Sequence, residues 1–159
     1  MYSNELVCNL LLFIDENIKS KISINEISSK FNYDRYYLMK LFKKELNISI
    51  INYINIVKIY NSLYYINDNY SFLKTALLSG YYSLEYYSET FKKVLGVNPR
   101  TYKKIINRDN VSNKDIDIFN SNLANIKIII NKCNKYKNNI KPKTIQVKKL
   151  SIFNNIGIK

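Results

Sequence analysis

Residues 41 to 49 read LFKKELNIS, and residues 90 to 98 read TFKKVLGVN. Phe42, Lys43, Lys44 and Leu46 have counterparts at Phe91, Lys92, Lys93 and Leu95, an offset of 49. Upstream the match continues at an offset of 48: Ser23 with Ser71, Ile24 with Phe72, Ser28 with Ala76, Asn32 with Gly80, and Tyr33 with Tyr81. A segment that recurs with its internal landmarks in order is one supersecondary unit used twice. The change of offset places one extra residue in the second copy's turn.

Each copy spells a short helix, a tight turn and a longer helix. Ser23 and Glu26 form an S-x-x-E capping box, so a helix is expected from there to about Phe31. Asn32 suits a left-handed turn, and Asp34 can cap a second helix through Glu45. Its apolar stripe is Tyr37, Leu38, Leu41 and Phe42, and its other face shows Arg35, Tyr36, Met39, Lys40, Lys43 and Lys44. In the second copy Ser83 caps a helix to about Leu95, and Gly96 ends it where Asn47 stands in the first. The small Ser28 or Ala76 lets the paired helices cross closely, as in a helix-turn-helix. Ahead of the first copy, residues 4 to 18 carry Leu6, Leu10, Leu11, Phe13, Ile14 and Ile18 at helical spacing. Between the copies, Ser49 opens a helix to about Ile66, with Tyr53, Ile54, Val57, Tyr60 and Tyr64 on one face. Asn98 and Pro99 start a final helix.

Several classes of function are excluded or lack support. Of the residues 47% are hydrophobic, so a packed core is expected, yet no apolar run reaches the roughly 18 residues that span a bilayer. The N-terminus lacks a basic n-region and carries Asp15 and Glu16 within its apolar pattern, so it reads as a helix and not as a signal peptide. Cys8 and Cys133 form no CxxC, which makes a reduced, cytoplasmic protein the default. There is no histidine, and no dinucleotide, Walker-type or nucleophile-elbow motif. No enzyme, metal or cofactor is expected.

The net charge is +13. It suggests a polyanionic partner, although coding bias toward Asn, Ile, Lys and Tyr raises lysine content without any binding purpose. Its distribution therefore decides. Lys43, Lys44, Lys92 and Lys93 could be solvated helix ends near a C-terminal dipole, but their recurrence after the repeated phenylalanine favours phosphate contact. Tyr81 and Tyr87 are expected in the core, and Tyr82 and Tyr86 toward solvent or a groove, in preference to a stacking platform for single strands. Cys8 reads as a small core residue. Cys133 falls in a lysine-rich stretch expected to be mobile and open to oxidation.

After Arg108 the sequence changes character. DNVSNKDIDIFNSN reads as polar loop, and IKIIIN and the final TIQVKKLSIFNNIGIK are β-branched and strand-like. The expectation is an all-α fold, a seven-helix tandem helix-turn-helix domain over 4–108, with a partly β or disordered lysine- and asparagine-rich extension over 109–159.

ISINEISSKFNYDRYYLMKLFKKELNIS, NYINIVKIYNSLYYI and SFLKTALLSGYYSLEYYSETFKKVLGVNPRTYK resemble the DNA-binding domain of the AraC/XylS family of bacterial transcription regulators. The carrying landmarks are Ala76, Gly80-Tyr81, Phe91-Lys92 and the closing Gly96, Pro99 and Tyr102. The resemblance implies two subdomains joined by the 49–66 helix. It implies a monomer that sets two recognition helices into successive major grooves of double-stranded DNA and recruits or blocks RNA polymerase. A helix of 18 residues is about 27 Å long, which with the body of each subdomain makes a groove spacing of about 34 Å reachable.

By position, Arg35, Tyr36, Met39 and Lys40 would face bases, with Lys43 and Lys44 near phosphates. Lys40 replaces the family's usual arginine and lacks its rigid fork. In the second copy the contacts would be Ser83, Leu84, Glu85, Tyr86, Ser88 and Glu89, with Lys92 and Lys93 behind them. Glu89 stands where arginine is common, and Ile56 and Asn61 stand where the linker is commonly basic, leaving Lys58. Residues 34–45 balance at +2 and residues 83–95 at zero, so the first copy is expected to carry most affinity. The alternative is a protein-interaction remnant of a truncated regulator that binds DNA weakly and non-specifically. PKTIQVKKLSIFNNIGIK, more faintly, resembles the opening strands of a GyrI-like effector-binding domain. That implies a truncated regulator, in which a small-molecule effector is not expected.

Overall fold

The computed structural model describes residues 3–139 as eight helices. They are α1 (Ser3–Glu16), α2 (Ile24–Phe31), α3 (Arg35–Leu46), α4 (Ile50–Asn67), α5 (Phe72–Leu78), α6 (Leu84–Leu95), α7 (Pro99–Ile106) and α8 (Asn113–Asn139). The expected caps are in place. Ser23 Oγ accepts from Glu26 N–H at 3.2 Å while Glu26 accepts from Ser23 N–H at 2.7 Å, closing the capping box. Asp34 Oδ1 accepts from the backbone of Tyr36 and Tyr37, Ser83 Oγ from Tyr86, and Asn98 Oδ1 from Thr101. Asn32 and Gly80 occupy matching left-handed turns, with φ of 56° and 81°. Asn47 and Gly96 do the same at the ends of α3 and α6.

Two apolar clusters form around the two copies. The first gathers α1 with Ile27, Leu38, Phe42, Leu46 and the first half of α4. The second gathers Ile59, Leu63 and Ile66 of α4 with Ala76, Tyr81, Tyr87, Phe91, Leu95 and Tyr102. Hydroxyls tie α4 to both sides. Tyr53 donates to Asp15 of α1 at 3.0 Å, Tyr87 to Ser62 at 3.0 Å, and Tyr102 to Asn67 at 2.7 Å. Cys8 is buried in the first cluster's helix, as expected.

The extension departs from its expectation. Residues 113–139, read as loop and then β-branched strand, form the 27-residue helix α8. The signal was a longer period than the one read. Phe119, Leu123, Ile126, Ile130 and Cys133 recur at spacings of four and three, and all are buried. Burying each large apolar side chain contributes about 1.5–3 kcal/mol, which outweighs the few tenths by which isoleucine disfavours a helix. Cys133 accordingly lies on a helix with its thiol buried, not in an open lysine-rich stretch. It is 1% exposed, and burial pushes its thiol pKa up to about 11. Two smaller departures are Tyr37, which stacks on Tyr33 in partial exposure and does not enter the core, and Tyr64, which faces solvent. The GyrI-like segment at 142–159 lies outside the described residues.

Candidate nucleic-acid interface

The second helix of each unit splits its residues the same way. Leu38, Leu41, Phe42 and Leu46 of α3 are buried, and so are Tyr87, Thr90, Phe91 and Leu95, each 49 positions later on α6. With one face of each helix fixed in its core, the opposite face is presented outward at the 3.6-residue period. On α3 that face holds Arg35, Tyr36, Lys40, Lys43 and Lys44, all exposed. Met39 is half-buried and packs against the first core. On α6 it holds Glu85, Tyr86, Glu89, Lys92 and Lys93, again all exposed. Ser83 and Ser88 are half-buried, and Leu84 packs against the second core. Tyr36 and Tyr86 are 64% and 55% exposed, so neither is held in the body of the protein.

The charges differ between the copies. Arg35 donates to the Tyr36 hydroxyl at 2.8 Å, and its guanidinium lies 4.7 Å from the Tyr36 ring centre, so the pair is presented as one aromatic, cationic edge. With Lys40, Lys43 and Lys44, it leaves only positive charges on that exposed face of α3. On α6, Glu85 accepts from the Ser83 hydroxyl at 2.7 Å, and that contact holds its carboxyl below the usual carboxylate range. A carboxylate in a first helical turn is favoured by the helix dipole, so Glu85 has a local reason to be there. Among the described residues, Glu89 has no such partner.

A cleft of about 480 Å³ lies between the units, bounded by the starts of α2, α4 and α6, with Tyr82, Ser83 and Tyr86 on its second-unit side. Lys58, the one cation left on the linker helix, does not reach an outer surface. It is 6% exposed, and its ammonium donates to Ser20 O at 2.7 Å and Gly80 O at 3.1 Å. Sequence reasoning missed this placement, since the partners are carbonyls from two distant turns.

Comparison with known proteins agrees with this architecture. Residues 14–55 match the family described as bacterial regulatory helix-turn-helix proteins, AraC family. The match supports an AraC/XylS-type helix-turn-helix domain in this chain. The melibiose operon regulatory protein of Escherichia coli K12 is 28% identical over 100 residues, covering 62% of this chain and 33% of the relative. The transcriptional regulatory protein HptR of Staphylococcus aureus is 25% identical over 103 residues, covering 65% of this chain and 41% of the relative. The chain thus spans between a third and about two-fifths of the length of these relatives. Among solved structures, the C-terminal domain of AraT, a response regulator from Geobacillus stearothermophilus, superposes with a TM-score of 0.60 at 22% identity. It covers 68% of this chain and 88% of that one, and shares its fold. A protein of unknown function from Listeria innocua superposes with a TM-score of 0.57 at 28% identity, covering 61% and 93%. Among the described residues no helix is long and apolar enough to cross a membrane.

Proposed function

We propose that this chain is a sequence-specific reader of double-stranded DNA that regulates transcription. The observation that carries the reading is the repeated split of α3 and α6 into a buried face and an exposed one at a constant offset, with only positive charges on the exposed face of α3. In this reading the domain over 4–108 acts as a monomer and sets α3 and α6 into successive major grooves. Arg35, Tyr36 and Lys40 approach base edges, while Lys43 and Lys44 neutralise phosphates. Met39 and Leu84, packed partly into their cores, contribute fewer atoms to the grooves. Bound this way, the protein recruits or blocks RNA polymerase.

Selection of bound duplexes from a random pool tests the proposal, because it reports both specificity and half-site spacing. A salt-dependent affinity with a defined motif is expected, and equal binding to random duplex would leave only a non-specific binder. On a selected site, Lys40→Ala should cost about 1–3 kcal/mol, the scale of one good base contact. An unchanged affinity would mean that α3 does not read bases.

The exposed carboxylates of Glu85 and Glu89 favour a second reading for α6 alone, in which that helix docks on another protein. A carboxylate beside phosphates is repelled unless it accepts from cytosine N4. Glu89→Arg separates the two. Tighter DNA binding, by about tenfold for one added phosphate contact at low salt, places α6 on DNA; an unchanged affinity in fluorescence anisotropy supports the docking role.

A further inference from the structure

Helix α8 holds the trailing ends of both outward-facing helices. At the end of α3, Lys132 Nζ donates to Leu46 O at 3.0 Å, and the Tyr136 hydroxyl donates to Glu45 at 3.3 Å. Lys137 pairs with Asp15 of α1 in the same unit. At the end of α6, a Cβ added to Gly96 would lie 2.3 Å from Ile118 Cγ2 and 2.8 Å from Asn122 Nδ2, so α8 is pressed directly onto that helix terminus. Ile118 and Lys132 are 14 positions apart on one unbroken helix, a rod of about 21 Å at 1.5 Å per residue. The stripe between them belongs to both cores. Phe119, Leu123, Ile126 and Ile130 enter the second, Cys133 enters the first, and Ile129 packs against both.

Lys58 joins the units on another side of α4. Its two carbonyl acceptors belong to the loop after α1 and to the turn of the second unit. Gly80 makes that approach possible, since a Cβ there would sit 2.8 Å from Lys19 O. Ile56, which lines a cleft with Ile126 of α8, lies two residues before Lys58. That spacing is about 200° around the helix. The linker helix is therefore flanked by α8 on one side and by the Lys58 contacts on the opposite side. Two small domains joined by one helix are free to hinge about it, whereas three connections on different sides are not.

We propose that α8 and Lys58 act as a two-sided brace that fixes the angle between α3 and α6, and thereby sets the one half-site separation that the protein accepts. The second half of this statement rests on the two-groove reading above; the first does not. Lys58 and the α8 side chains are positioning residues and touch no DNA.

The test begins without DNA. Cysteines introduced at exposed Ser29 on α2 and Arg100 on α7 are spin-labelled in the full chain, the buried Cys8 and Cys133 being sheltered from the reagent. Dipolar spectroscopy should give a narrow distance distribution for the parent chain. Lys58→Met, and separately the triple variant Lys132→Ala, Tyr136→Phe, Lys137→Ala, should broaden it about twofold while far-UV circular dichroism retains the helix content. The triple variant leaves the buried stripe of α8 in place, and Lys58→Arg should restore the narrow distribution. An unchanged width in both variants overturns the brace.

The DNA arm then moves one selected half-site by a base pair, which turns it by about 35° around the duplex. The parent should lose about tenfold in affinity and the loosened variants no more than about threefold, with affinity for a single half-site preserved. Broadened distances together with a parent chain indifferent to spacing would keep the brace, remove its consequence for DNA and count against the two-groove reading.

Discussion

Phe91→Ala is expected to destabilise the protein by about 3–5 kcal/mol, the usual cost of emptying a fully buried aromatic site. Phe91 has no exposed surface and sits at the centre of an aromatic chain. Its ring centre lies 5.8 Å from those of both Tyr87 and Tyr102, and Tyr102 in turn lies 5.1 Å from Phe119 of α8. The cavity would open between α6, α7 and the stripe of α8, where neighbours are anchored by their own hydroxyls, Tyr87 to Ser62 and Tyr102 to Asn67. Such anchored walls relax little, so the cost should fall toward the upper end. Against a typical total of 5–15 kcal/mol, a loss of this size leaves a large fraction of molecules unfolded on mild heating. Urea titration followed by circular dichroism measures it. Glu89→Ala, two residues away on the exposed face, serves as the control and should stay within about 0.5 kcal/mol. A cost below about 1 kcal/mol at Phe91 would mean that the second core is not packed as described.

Replacing Lys43, Lys44, Lys92 and Lys93 together by alanine is expected to remove most DNA affinity and to flatten its salt dependence. Each phosphate neutralised by a cation contributes about 0.9 to the slope of log affinity against log salt. If both pairs meet phosphates, the slope falls by between 3 and 4, and affinity at low salt falls by about 10³-fold or more. All four side chains are exposed on the last turns of α3 and α6, so the substitutions should leave the fold intact, apart from a few tenths of a kcal/mol per helix end. The two pairs can be separated. A slope change confined to Lys43 and Lys44 would assign the electrostatic work to the first unit and agree with the neutral balance of α6. No change for either pair would return these lysines to the role of solvated helix ends.

Much of this was legible before any coordinates. The repeat offset, the caps at Ser23, Asp34, Ser49, Ser71, Ser83 and Asn98, and the left-handed turns at Asn32 and Gly80 are local chemistry. A side-chain oxygen accepts from an N–H three positions on, or a backbone angle suits asparagine or glycine. Such interactions are determined by neighbours in sequence, so the sequence states them. Leu38, Leu41 and Phe42 of the α3 stripe were legible for the same reason, since periodicity requires only one helix and one core. Tyr81 and Tyr87 fell inside, and Tyr82 and Tyr86 outside, on that logic.

Three features were decided by tertiary structure alone. The β-branched run at 126–131 became helix because Ile126 and Ile130 found a long apolar seam to fill, and burial free energy exceeds the propensity that argued for a strand. Tyr37 left the core stripe for Tyr33 because a tyrosine across the turn offered its ring face. Lys58, a surface cation by composition, was drawn inside by two carbonyls 38 positions before it and 22 after it. The chain by itself thus specified two copies of a small helical unit and the face each turns outward. How those units are held to each other was settled by contacts among residues distant in sequence, whose energies no local pattern encodes.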